Sequence, residues 1–232
     1  MRLKKSIHNM NLDDFIFLIP ARKGSKGIRG KNLVKIGNKK LVARTFEAIE
    51  PIKYDNKYVL TNDDKIKKLA KKYNINSSYY RKQIISGDNI ELIETVKDFC
   101  ISLNVKKLYK YVVILQPTSP FRTYEDIINS IKKFKKNKYS SLFSISPSLE
   151  HPNDTVYLKN NKVKYFINQN QTVRQFYKKS FFINGAIYIS EKKNILKNKF
   201  INKKNHGVYI MKKINSLDLD DTQDLELIRR FV

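Results

Sequence analysis

The chain is 232 residues long and carries 47 Lys+Arg against 21 Asp+Glu, a formal net charge of +26 at pH 7. That charge points first to a nucleic-acid partner, but 38 Lys, 23 Asn and 28 Ile account for 89 residues and only nine are Arg, so most of the charge is Lys without the planar fork that grips phosphate. With 41% hydrophobic and 12% aromatic residues the chain builds a core and is not disordered, while a single Cys100 and three His exclude a disulfide and leave too few ligands for a structural metal cluster.

A reducing, cytoplasmic setting is the default for such a chain. No run approaches the roughly 18 apolar residues that span a bilayer, so no membrane partner is expected. Phe15 to Ile19 is a short run apolar on both faces and ended by Pro20, the pattern of a central strand in a parallel sheet. A Gly- and Lys-rich loop follows at 21–32, then an amphipathic helix near Leu41 to Ile49. Lys57 to Thr61 reads as the next strand, with Lys65 to Tyr73 its return helix. Leu92, Ile93, Val96, Phe99, Cys100 and Leu103 recur at three- and four-residue steps, so a helix covers 91–103 and Cys100 is an inert core residue. Tyr111 to Leu115 is a third buried strand, and Glu125 to Phe134 a third return helix.

Strands alternating with helices at this spacing predict an α/β fold, a three-layer α/β/α sandwich around a mostly parallel, Rossmann-like sheet. In such sheets ligands bind beyond the carboxyl ends of the strands. The alternation breaks after Ser141 to Ser146. Residues 155–167 read as a β-hairpin about Asn160-Asn161, a polar loop fills 168–180, and Phe181 to Ser190 returns to strand. The whole chain, 1–232, is thus expected to be one domain, with 150–182 as an insertion. A lone hairpin is marginal in water, so this one needs a surface to pack on, and a second subunit is the candidate. Val208 to Met211 and a helix from Thr222 through Arg230 close the chain.

Chemistry concentrates in three places. The loop Pro20 to Asn32 holds three of the seven Gly within seven residues, interleaved with Arg22, Lys23, Lys26, Arg29 and Lys31. Gly lets backbone N–H groups close on an anion, and the cations neutralise it. The spacing matches neither a Walker A loop nor a GxGxxG fingerprint. Near the C-terminus, Asp218 and Asp220 are two apart, so an extended backbone points both carboxylates the same way, a pair suited to a hard divalent cation; capping of the following helix by Asp220 or Asp221 is the alternative. In a Lys-rich chain, Arg22, Arg29, Arg81, Arg122 and Arg174 stand in loops where bidentate contacts are useful.

Ile19-Pro20-Ala21-Arg22 with Gly24-Ser25-Lys26-Gly27 and Lys31-Asn32, Leu115-Gln116-Pro117-Thr118-Ser119-Pro120-Phe121-Arg122, Asn184-Gly185-Ala186-Ile187-Tyr188 and Asp218-Leu219-Asp220 together resemble the acylneuraminate cytidylyltransferases, in order from about residue 15 to 230. The resemblance implies the fold of nucleotide-diphospho-sugar transferases and transfer of CMP from CTP to the anomeric hydroxyl of a nine-carbon 2-keto sugar acid, releasing pyrophosphate with Mg²⁺. It also implies that Arg22, Ser25, Lys31 and Asn32 hold the nucleotide, Arg81 contacts cytosine, Gln116 the sugar and Arg174 its carboxylate, and that Asp218 and Asp220 carry the metal, Asp220 serving also as a base. CTP and a nonulosonic acid are then the partners, with a homodimer expected. The chain departs from the family pattern at Thr61-Asn62-Asp63 and at Asn153-Asp154; the second stretch adjoins the sugar, so sialic, legionaminic and pseudaminic acids stay open as acceptors. A CMP-Kdo-type synthetase is the enzyme alternative, and a basic nucleic-acid-binding protein the alternative from another class.

Overall fold

The alternating apolar strands assemble into a single six-stranded sheet. The computed structural model describes residues 11–25, 27–87, 91–102, 109–167 and 173–232. Its central strands are β1 (Phe15–Pro20), β4 (Lys57–Leu60), β5 (Tyr111–Ile114), β6 (Ser141–Pro147), β9 (Phe181–Glu191) and β10 (His206–Ile210). β1 pairs in parallel with β4 and β5, and β10 with β6, whereas β9 runs antiparallel between β5 and β6. The expected α/β sandwich is what forms, with one reversed strand in its middle. Residues 1–10, Lys26, Leu103 and the 168–172 part of the polar loop lie outside the described residues.

The period of two along β1 divides the core. Phe15, Phe17 and Ile19 face one side, against Val42 and Phe46 of α1 (Leu41–Ala48), Ile66 and Ala70 of α2 (Asp64–Lys72), and Ile127, Ile131 and Phe134 of α4 (Tyr124–Lys136). Ile16 and Leu18 face the other, against Ile93, Val96, Phe99 and Cys100 of α3 (Leu92–Ser102) and Ile195 of α5 (Lys192–Leu196). Burying both faces is what a parallel strand without polar alternation requires. Cys100 is buried, as its place in the helical stripe predicts.

Helix starts are set by acidic and hydroxyl caps. Asp63 accepts from Lys65 N, Thr123 and Asp126 form a reciprocal capping box, and Asp221 with Asp224 forms another at the head of α6 (Thr222–Arg229). Asp221 is therefore the cap, and Asp220 is left to face outward. Short strands β2 (Lys35–Ile36) and β3 (Lys39–Lys40) make a side ribbon. Ile36, Leu41, Ile28, Leu219, Leu225 and Ile228 form a third, smaller core that docks α6 beside the loop after β1.

Between β6 and β9 the chain forms the predicted hairpin, β7 (Val156–Lys159) with β8 (Lys162–Tyr165). Asn160 and Asn161 sit at φ 52° and 58°, the two left-handed positions of a two-residue hairpin turn that Asn tolerates. Every strand residue of this arm is exposed.

Candidate active site

The loops leaving the carboxyl ends of β1 and β5 meet the C-terminal acidic segment around one cleft of about 400 Å³. The loop after β1 supplies Arg22, Ser25, Gly27, Lys31 and Asn32; Arg81 follows β4 and α2; Gln116, Pro117 and Thr118 follow β5; Asp220 closes the far side. Seven of the sequence-derived candidates thus line one space, because successive parallel strands end on the same edge of the sheet.

Local bonds hold this loop in shape. Gly24 and Gly30 take φ of 83° and 67°, a conformation that side chains resist. Asn32 Nδ2 donates to the carbonyl of Arg22 at 3.1 Å and Arg22 Nη1 to the carbonyl of Ser86 at 3.2 Å. Ser25 Oγ donates to the carbonyl of Gly24 at 2.8 Å. Buried Lys31 reaches across the cleft, its Nζ donating to the carbonyl of Leu219 at 2.8 Å and to Asp220 Oδ1 at 3.2 Å. With the Asp220 side chain 76% exposed, this ion pair adds little to stability; its effect is to fix where the ammonium stands.

Arg81 is buried, and its Nε and Nη2 donate to the carbonyl of Ile85 at 3.0 and 2.7 Å. Burial pushes its guanidinium down to about 10, and nearby Arg22 adds to the shift. Two cations that disfavour each other at one wall mark a place where an anion is favoured.

On the opposite wall, buried Leu219 points into the small core while its neighbours Asp218 and Asp220 project to the other side. Their environments differ. Asp220 faces the cleft, whereas Asp218 is half-buried behind it, with Oδ1 enclosed and, among the described residues, without a hydrogen-bond partner. Burial pushes the Asp218 carboxyl above its usual range; a hydrogen bond with Thr118 opposes the shift and the neighbouring Asp220 reinforces it. The Leu219 amide donates to the Thr118 carbonyl at 2.9 Å, tying the acidic segment to the loop after β5. An enclosed carboxylate oxygen lacking a donor, beside a second carboxylate, fits a hard cation with oxygen ligands. Among the described residues no group of three or more His, Cys, Asp or Glu is placed to hold a metal, so substrate or water oxygens would complete such a shell.

Arg174 stands apart. It lies in a short turn of the arm, exposed, with Nη2 3.4 Å from Asp154 Oδ2, and it does not line the cleft. Two residues outside the sequence-derived candidates also shape the site. Thr118 touches Asp218 and bonds the acidic segment, and Gly27 abuts the Asp220 backbone. The signal for Thr118 was its place inside the Gln116 to Arg122 motif; nothing local singles out Gly27 from its neighbouring glycines.

The family model described as cytidylyltransferase matches residues 16–231. The chain is 31% identical over 223 residues to the N-acylneuraminate cytidylyltransferase of Escherichia coli, a match covering 91% of this chain and 50% of that protein, so it spans about half of that relative's length. It is 29% identical to the CMP-N,N'-diacetyllegionaminic acid synthase of Legionella pneumophila over 93% of this chain and 94% of that one. The pseudaminic acid cytidylyltransferase of Campylobacter jejuni is 27% identical, with 91% and 93% covered. Among solved structures, a CMP:2-keto-3-deoxy-manno-octonic acid synthetase complexed with CTP superposes at TM-score 0.66 and 14% identity over 94% of this chain and 98% of that one, a likeness of fold. A match over nearly the whole chain, the cleft included, means that the chain belongs to the cytidylyltransferase family.

Proposed function

We propose that this cytidylyltransferase moves CMP from CTP onto the anomeric hydroxyl of a nine-carbon 2-keto sugar acid. The observation that carries the reading is the gathering of Arg22, Lys31, Arg81, Gln116 and Asp220 around one cleft, with half-buried Asp218 behind it. The relatives named for sialic, legionaminic and pseudaminic acids support this acceptor class. The reaction joins two anions, so the site has to supply charge and positioning rather than a covalent nucleophile.

In this reading Arg22 and Lys31 neutralise the triphosphate, Ser25 and Asn32 shape its loop, and Arg81 meets the cytosine. The anomeric oxygen bonds to the α-phosphorus as the α–β anhydride bond breaks and pyrophosphate leaves. The hydroxyl proton passes to the Asp220 carboxylate. Asp218 and Asp220 would hold Mg²⁺, which when bound screens the phosphate charge and polarises the P–O bonds. Lys31, bonded to Asp220, keeps that carboxylate turned toward the cleft.

The arm makes the protein a homodimer in this reading. Leu158, Phe166 and Phe176 are among the large apolar side chains it exposes, each about 70% accessible, and such a patch is characteristic of an interface. Each arm then reaches toward the partner's cleft and brings Arg174 to the sugar carboxylate. No described helix is long and apolar enough to cross a membrane.

The test is pyrophosphate release with CTP, Mg²⁺ and a panel of N-acetylneuraminic, legionaminic, pseudaminic and the eight-carbon Kdo acids. Turnover on at least one nine-carbon acid is expected. Turnover on Kdo alone replaces the acceptor assignment, and no turnover alongside salt-resistant oligonucleotide binding overturns the reading.

A further inference from the structure

Two motif residues have no part in the chemistry above. In the middle of β9, Gly185 adopts φ +71°, and the pairing of β9 with β6 shifts register between Phe143 and Ile145. A buried polar network holds this irregularity. Ser144 Oγ donates to Asn184 Oδ1 at 2.5 Å and accepts from Ile187 N at 2.9 Å, Ala186 N donates to Asn184 Oδ1 at 3.1 Å, and Asn184 Nδ2 donates to Ser146 Oγ at 2.6 Å. Side chains here take over bonds that the ladder would make in a regular strand, which is how a bulge is kept in one place.

The bulge creates a notch, and Gln116 fills it. A Cβ at Gly185 would lie 2.6 Å from Gln116 Oε1, so the amide occupies space that any other residue would take. The main chain of Gln116 is held as well. Arg122, 4% exposed, donates from Nη1 to the carbonyls of Gln116 and Ala186, both at 2.8 Å, and from Nη2 to Thr45 Oγ1 at 2.7 Å. One guanidinium therefore locks the residue carrying the amide to the strand forming its notch. A rigid, planar five-donor group suits that bridge; an ammonium has no fixed fork.

We infer that Gly185 and Arg122 are positioning residues that aim the Gln116 amide at the incoming sugar acid, and so set affinity for the acceptor and not for CTP. The inference rests on the reading of Gln116 as the sugar contact.

It is tested with the panel acid that wild type turns over fastest, varying that acid and CTP separately. Gly185→Asn and Arg122→Lys should each raise the KM for the acid tenfold or more and leave the KM for CTP within twofold. Asn accepts left-handed backbone, so Gly185→Asn isolates the clash from strain; it also decides the matter if Arg122→Lys fails to fold, as followed by thermal unfolding. In a Gln116→Ala background Gly185→Asn should add nothing, because both act through one amide. An acid KM that stays put in the folded variants, a CTP KM that rises in step, or effects that multiply in the double variant overturn the inference while leaving an active enzyme. A wild type inactive on every acid overturns the functional reading and this inference together.

Discussion

Gly27 lies against the main-chain carbonyl of Asp220 so closely that a Cβ at that position would collide with it. The backbone of the basic loop and that of the acidic segment therefore touch at the cleft that both line. The obstacle is main chain, which cannot swing aside as a flexible side chain does. Gly27→Ala is expected to cost about 1–3 kcal/mol of stability, the usual range for overpacking, and to lower kcat at least tenfold; thermal unfolding and pyrophosphate release measure the two. Unchanged values for both would mean that the segment shifts freely.

Lys31 is the side chain that bridges the same two walls, through the Leu219 carbonyl and Asp220. Its ammonium stands where triphosphate charge has to be neutralised. Lys31→Ala should reduce kcat/KM for CTP by about a hundredfold, equivalent to roughly 2.7 kcal/mol of transition-state stabilisation. Lys31→Arg should recover only part of it, since the broader guanidinium does not reproduce both bonds in a buried position. Steady-state kinetics at saturating acid separate these outcomes, and full activity in either variant removes Lys31 from the reaction.

Asp218 combines burial, a partnerless oxygen and a like-charged neighbour. Asp218→Asn removes that charge, so metal-free protein should become more stable by about 1 kcal/mol at neutral pH, a rise of roughly 2–4 °C in Tm, while turnover is lost. The sign follows from linkage: with the folded-state carboxyl raised above its unfolded value, its contribution to stability is fully present in acid and lost as pH rises through the raised value. The Tm advantage of Asp218→Asn should accordingly shrink as pH falls. Calorimetry in chelator-treated buffer reads it, and an Asn variant less stable than wild type at neutral pH contradicts the account.

The arm leaves Leu158 and Phe166 72% and 66% exposed. Charges placed there should break an association driven by apolar burial without disturbing the sheet. Sedimentation velocity of Leu158→Glu combined with Phe166→Glu is expected to show a monomer, with near-UV circular dichroism unchanged. A dimer that survives both changes would place the contact elsewhere.

Much of the fold is legible locally. Phe15 to Ile19 and Tyr111 to Leu115 announce buried strands because parallel strands covered on both faces are apolar throughout, and the Asn160-Asn161 pair marks a hairpin because both residues have to accept positive φ. The shared cleft of Arg22, Lys31, Gln116 and Asp220 follows from the same reading, since loops after successive parallel strands gather on one edge.

Other relationships depend on which distant segments become neighbours. Nothing in Phe181 to Glu191 says that this strand runs reversed between β5 and β6, yet that placement brings Gly185 against Gln116 and Ala186 within reach of Arg122. Two aspartates two residues apart look equivalent in sequence; packing half-buries Asp218 beside Thr118 and turns Asp220 to the cleft. Arg174 likewise is tied to Asp154 in the arm, outside the cleft. Periodicity and backbone preference act over a few residues, so the sequence by itself determined the elements and the edge at which they converge. Strand order and burial arise from contacts between residues tens to more than a hundred positions apart, and only the tertiary structure decided which side chains touch, which are desolvated, and which loop holds another in place.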